Sequence, residues 1–312
     1  MATTTTSNLE SSQKALGIYY DTRVIESLQP NLYFEQFGTI EKVAEGNYTS
    51  RFFTFDQIAT SSVSSLTEGA APTSIAVSVS ATDVTPTQYG VVVEMTDLVA
   101  LTSVFDLINA SLVEVGKAMA RKIDVAIQTV VNAGSNVIYA DDVADRASLG
   151  SSNTLDVTEL IKAGQYLRGK SAPEYKGGGF ACPMHPNVAY DIMSDTGTGQ
   201  WIDVHKYASP DNIFKGEVGA INGLRIVQTP NIQTFSSTVT VYPTTVIGAD
   251  AYRISYWLPS KIKSYVLPPE NASTVSNPLG QKGTVGAKTV MGVAITQQDR
   301  LVRIESAATA VV

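Results

Sequence analysis

The feature that most constrains this chain is the run from Leu98 to Ala133, the one long segment with sustained helical periodicity and no proline. Leu101, Phe105, Ile108, Leu112, Val115, Met119, Ile123, Ile127 and Val130 recur at spacings of three and four, the signature of one buried face along an α-helix. All but Val130 are assigned to the core of that helix. Asp97 is placed to cap its start and Gly134 to stop it, with Gly116 a candidate bend. Unbroken, the segment spans roughly 50 Å, far beyond the usual three or four turns. Asp106 is a second candidate cap, which would leave Leu98–Phe105 as a lead-in turn. A rod of this length acts as a beam, with extended structure on both sides of it.

The flanks read as mixed structure. Met1–Gln13 is polar and threonine-rich, has no apolar core, and is not read as a signal peptide. A short helix is expected from Asp21 to Pro30. Tyr33, Phe34 and Phe37 then form a dense apolar cluster with no partner nearby in sequence, as in an arm that packs onto another molecule. Tyr48–Phe55 and Ile75–Ala81 read as strands and enclose a Ser/Thr/Ala/Gly-rich turn region with Leu66 and Glu68. Tyr89–Met95 is a further strand. A long two-stranded projection is marginal alone in water, so it is expected to lie against a neighbour.

Beyond the long helix the expected strands are Val137–Tyr139, Phe180–Met184, Leu224–Thr229, Val239–Gly248, Ile254–Leu258, Ile262–Leu267, Thr289–Ile295 and Leu301–Ile304. Helices are expected at Val157–Arg168, capped by Asp156, and from His185-Pro186-Asn187 to Met193. Helices and strands mix without βαβ alternation, so the fold class is α+β.

Charge narrows the function. Charged residues are 16% of the 312 and the net charge is −7, against about 25% charged in a typical chain. So little polar cover suits a chain buried against partners, and the sign argues against tight nucleic-acid binding. A lone cysteine, Cys182, excludes an intrachain disulfide and fits a reducing compartment. No run of 18 apolar residues suggests a membrane span, so the chain reads as water-soluble and made in the cytosol.

Catalytic motifs are weak. Gly164-Gln-Tyr-Leu-Arg-Gly169-Lys170-Ser171 matches the phosphate-loop pattern literally, but that mechanism needs a strand before the loop and a helix after it. Here helix comes first and Pro173 follows, so a helix C-terminus is favoured, with Gly169 as the stop and Arg168 and Lys170 on the free carbonyls. Cys182 and His185 fall short of the four ligands of a structural zinc site. Asp141, Asp142 and Asp145 lack calcium-loop spacing. No catalytic, metal or cofactor residue is assigned.

Taken together, Glu68-Gly69 to Pro72, Gln88-Tyr89-Gly90 leading to Thr96-Asp97, His185-Pro186, Ile213-Phe-Lys-Gly216-Glu217-Val-Gly219 with Gly223, Thr229-Pro230-Asn231, the block Asn277 to Lys288 and Arg303-Ile304-Glu305 carry a resemblance. The chain resembles the major capsid proteins of tailed bacteriophages, in the N4-type branch. Asn277 and Ala287 depart from it, where Asp and Trp are expected.

The resemblance implies an N-terminal arm at 1–45, an extended E-loop at 46–97 and a spine helix at 98–134. A peripheral domain would take mainly 135–150 and 251–312, and an axial domain mainly 151–250. It implies hexamers and pentamers tiling an icosahedral head around double-stranded DNA, assembled in the host cytoplasm with a separate scaffolding protein, a portal and an optional decoration protein. An encapsulin-type shell or decoration protein of the same fold is the alternative, and a phosphate-loop NTPase a remote one. Intersubunit contacts are expected at Tyr33, Phe34, Phe37, Arg51, Phe53, Phe55, Leu66, Glu68, Gln281 and Lys282. Some relatives of this fold join subunits through E-loop lysines, and there is no lysine between Lys42 and Lys117, so a non-covalent shell is expected. With so short a segment before the arm, a fused scaffolding domain is not expected.

Overall fold

The computed structural model describes residues 33–309 apart from 45, 57, 64, 67, 70, 72–73, 104–105, 195–216 and 274–276. In chain order the elements begin with helix α1 (Phe34–Phe37) and strands β1 (Thr39–Lys42), β2 (Ser50–Phe55), β3 (Val79–Val84) and β4 (Thr87–Thr96). Helices α2 (Asp97–Thr102) and α3 (Leu107–Val131), strand β5 (Val137–Tyr139), helix α4 (Val157–Gly169), strand β6 (Phe180–Met184) and helix α5 (Pro186–Ser194) follow. Strands β7 (Glu217–Ile221), β8 (Leu224–Gln228), β9 (Phe235–Ser236), β10 (Thr240–Ile247), β11 (Tyr252–Tyr256), β12 (Lys263–Leu267), β13 (Lys282–Ile295) and β14 (Leu301–Ser306) complete the chain. The helix expected after Asp21 and the Ile213–Gly216 motif lie outside the described residues.

The chain forms two compact units. Among described residues the smaller holds those within 92–115 and 264–286; the larger holds those within 33–91, 116–263 and 287–309.

Within the larger unit, β5, β14, β10, β6, β8 and β7 are successive neighbours in a seven-stranded sheet, with β9 on β10. The period-two geometry of a strand sends alternate side chains to opposite faces, and both faces are covered. Phe180, Cys182, Met184, Ile226, Val246 and Val302 pack with Leu160, Leu167, Val188 and Ile192 of α4 and α5. Their sequence neighbours Ala181, Val227, Ile247 and Leu301 join a second core with Ile123, Ile127 and Val131 of α3. Asp156 caps α4 in a capping box with Glu159. A second sheet runs β1, β11, β13, β12, with β4 also on β13.

β14 pairs antiparallel with β10 over six residues, Tyr242↔Ser306 to Ile247↔Leu301, and β5 pairs with β14. Buried polar chemistry fixes that position. Glu305, fully buried, accepts from Arg303 at 2.7 Å and from Arg146 Nε and Nη2, each at 2.6 Å. Arg303 also donates to the carbonyls of Asn132 and Gly134. Removing Glu305 would leave the buried Arg303 guanidinium without its counter-charge.

The rod is shorter than its periodicity implies. Ser103 takes an extended conformation that ends α2, and α3 starts afresh at Leu107, where Asp106 accepts from the Asn109 N–H at 3.1 Å. The second candidate cap is therefore the one used, and α3 spans about 37 Å. Thr96, not Asp97, is the N-cap of α2, its hydroxyl accepting from Val99 N–H. Val115, Met119, Ile123 and Ile127 are buried; Ile108 and Leu112 are half-buried. Leu101 is 82% exposed on α2, which corrects its assignment to the helix core; Phe105 lies outside the described residues. Gly134 lies beyond the last turn, where a Cβ would come 2.6 Å from Leu301. Close packing, not a left-handed turn, demands glycine there.

Tyr33, Phe34 and Phe37 also need correction. All three are buried in the second core of the larger unit with Ile123, Ile127 and Tyr252, so these side chains are covered by their own chain and are not free for another subunit. The anchor is polar. The buried Asp124 carboxylate accepts from Phe34 N–H at 3.1 Å, Gln128 Nε2 at 2.9 Å and Asn231 Nδ2 at 2.9 Å, and Tyr252 donates its hydroxyl to the Phe34 carbonyl.

Burial raises the Asp124 pKa above the ordinary 3.8; the three hydrogen bonds favour the carboxylate without offsetting that cost, and Glu35 adds repulsion. A raised folded value means the unfolded chain loses its proton first, so this group's contribution to stability falls as pH rises from 3.8 through the folded value. In urea titrations the stability of wild type minus that of Asp124→Asn is expected to decrease over that window and then level off.

Candidate assembly interface

Among the described residues no cluster of His, Cys, Asp or Glu could hold a metal. The phosphate-loop match is the end of α4. Arg168 donates to Asn222, at 3.0 Å to its side chain and 2.6 Å to its carbonyl, and the Lys170 ammonium lies 3.5 Å from Asp299. These side chains do not reach the helix carbonyls as expected; backbone N–H groups of Lys170, Ser171 and Ala172 satisfy them instead. Ser171, at φ 54°, makes the left-handed turn rather than Gly169. Cys182 is wholly buried, which pushes its thiol up to about 12 and leaves it inert. His185 accepts from Asn187 N–H and packs tilted against Tyr242, its ring centre 4.9 Å away; burial lowers its pKa. Asp142 pairs with Lys162 and Asp145 caps a turn at Ser148, so the acidic loop is structural.

What the larger unit does present is an uncovered apolar face. β2 and β3 pair antiparallel with Arg51↔Asp83, Phe53↔Ala81 and Phe55↔Val79 in register. Directly opposed residues share a face, so these six form one stripe with an ion pair at one end. Phe53 is 62% exposed and Phe55 72%, and Val79, Val77 and Ile75 continue the exposed apolar surface. The Arg51–Asp83 pair is bidentate at 2.6 and 2.7 Å, and the guanidinium holds the carboxyl below its ordinary pKa. Both partners are exposed, so the pair orients the strands more than it stabilises them. Leu66, 73% exposed, and Glu68 follow in the connection between the strands, exposed as well.

Gln281 and Lys282 belong to the smaller unit and are exposed. Gln281 is held by its backbone: its carbonyl accepts from Asp97 N–H and its N–H donates to Asn277 Oδ1, both 2.9 Å. The Lys282 ammonium lies 3.7 Å from Glu94. Asn277 organises this loop by donating to the carbonyls of Ala272 at 3.1 Å and Lys282 at 2.9 Å, a task for which an Asp has no N–H. The departure from the resembled pattern is thus built into the loop. Nearby, Ala100, Leu101, Pro268, Pro269 and Leu279 line an open groove of about 390 Å³, Leu279 being 80% exposed. Sequence reasoning missed this groove, since nothing in a Pro-Pro pair or an isolated Leu signals exposure. Asn277→Asp is expected to lower stability by about 1–2 kcal/mol through its two unpaired carbonyls, read as a fall in Tm.

With the geometry in place, comparison with known proteins is specific. The family model described as phage capsid protein matches residues 79–301. No curated protein matches the chain by sequence. Among solved structures the chain is similar to the capsid of Ralstonia phage GP4, at 15% identity over 96% of this chain and 97% of that one, with a TM-score of 0.72. It is similar to the head structure of Helicobacter pylori bacteriophage KHP40 at 13% identity, 99% and 100% coverage and a TM-score of 0.73. The cyanophage Pam1 capsid gives 12%, 98% of each chain and 0.72. These likenesses establish the fold. The family match covers most of the chain, and the chain belongs to the phage capsid protein family. It is a structural, non-enzymatic subunit of the phage head that associates with copies of itself in the virion capsid.

Proposed function

We propose that this subunit forms hexamers and pentamers that tile an icosahedral shell around double-stranded DNA, with the β2–β3 hairpin laid on an adjacent subunit. The observation that carries this reading is the stripe of Phe53, Phe55 and Val79, apolar and uncovered in the single chain. Burying one phenylalanine is worth about 1.5–3 kcal/mol, and a shell repeats that gain at every subunit. In the same reading the β1–β11–β13–β12 sheet corresponds to the peripheral domain, and the seven-stranded sheet with α4 and α5 to the axial domain. A separate scaffolding protein and a portal direct assembly in the host cytoplasm, and a decoration protein can join the finished head. The net charge of −7 suits a wall that holds DNA without sequence-specific contacts.

Phe53→Asp with Phe55→Asp is expected to abolish shell-sized particles by electron microscopy and sedimentation while leaving Tm within a degree or two, because both side chains are exposed. Closed particles at wild-type yield would contradict the hairpin contact. The absence of lysine from Val43 to Gly116 supports a non-covalent shell. Boiled mature particles are expected to run as monomer on a denaturing gel, and a ladder of higher species would count against this.

A further inference from the structure

Among the described residues the hairpin is gripped at its root. Phe52 and Val84, on the face opposite Phe53 and Phe55, are buried. The Arg253 guanidinium lies 5.1 Å from the Phe52 ring centre, within cation–π range. Trp257 donates its indole N–H to the Asn47 carbonyl at 2.8 Å, just before β2. Gly292 on β13 lets the end of β3 come so close that a Cβ would sit 2.5 Å from Val84 Cγ1 and 2.6 Å from the Thr85 carbonyl oxygen. Beyond the root the underside turns polar. Thr54, Ser80 and Thr82 border an open cleft of about 540 Å³ whose far wall includes Lys170 and Asp299.

We propose that this root is a preset elbow: Gly292, Phe52 and Arg253 are positioning residues that fix the direction of the hairpin before it meets a neighbouring subunit, and so bias the curvature of the shell. A two-stranded ribbon has little stability of its own, so its direction is inherited from whatever grips its first residues. A grip at the root defines the take-off angle of the strands. A preset angle also lowers the ordering cost of docking, which preorganisation makes smaller. A side chain at position 292 would push Val84 and the Thr85 backbone away, because a backbone carbonyl cannot step aside as a flexible side chain can.

The curvature consequence rests on the docking reading above; the elbow itself does not, so two readouts separate them. Hydrogen exchange on the unassembled full chain reads the elbow alone. Gly292→Ala and Phe52→Ala are each expected to speed exchange of the β2–β3 ladder amides at least tenfold, with β10 and β14 amides at wild-type rates. Ladder amides at wild-type rates in both variants would overturn the proposal. So would acceleration confined to β10 and β14, which would place the grip elsewhere. Should Gly292→Ala fail to fold, Phe52→Ala, which only removes atoms, carries the same test. The second readout is particle diameter by electron microscopy. Gly292→Ala is expected to give a broadened or shifted distribution, and wild-type diameters alongside a loosened ladder would overturn the curvature role. If wild type itself forms no particles, the docking reading fails while the exchange result still decides the elbow.

Discussion

The Asp124 carboxylate ties three segments that are remote in sequence. It is buried on α3, and its oxygens accept from the backbone at Phe34, from Gln128 on its own helix and from Asn231 after β8. Gln128 extends the tie by donating to the Asn231 carbonyl at 2.7 Å and accepting from Gln233 N–H at 2.9 Å. Around this polar knot Phe34, Phe37, Ile123, Ile127, Tyr252 and Leu301 pack as one buried cluster. Hydrophobic burial favours the assembly of these segments without specifying how they meet. The directional bonds to one carboxylate choose the register of α1 against α3.

Local chemistry made much of the fold legible. The β6 bounds, the capping box at Asp156 and the helix after His185-Pro186 follow from composition and capping signals that act within a few residues. The second cap at Asp106 was visible for the same reason. Partner choice was not. β14 looks like another strand of the last third, and only its pairing with β10 and the Arg146–Glu305–Arg303 network place it in the seven-stranded sheet. Spacings of three and four ran through Leu101 although the helix is broken after Thr102, because periodicity records which residues are apolar and not whether the backbone between them stays helical.

The assembly surface shows a more general boundary of sequence reading. Phe34 and Phe53 are both aromatic residues in apolar surroundings, and both called for cover. One is covered by its own chain, the other is left open on the hairpin. Hydrophobicity states that a side chain requires burial and is silent about which molecule supplies it. The topology settles that question: α1 lies against α3 and β11, whereas the outer face of a two-stranded sheet has no second layer. Low charge content and an uncovered aromatic stripe are then two aspects of one property, that of a chain whose folding leaves part of its apolar surface uncovered.

A density map of assembled particles at side-chain resolution tests the central claim most directly. The account requires Phe53 and Phe55 of each subunit to be in van der Waals contact with a neighbouring copy, with the Phe52–Arg253 and Gly292–Val84 contacts kept within each chain. Particles in which the Phe53–Phe55 face lies open to solvent, or is folded back onto its own subunit, would contradict it.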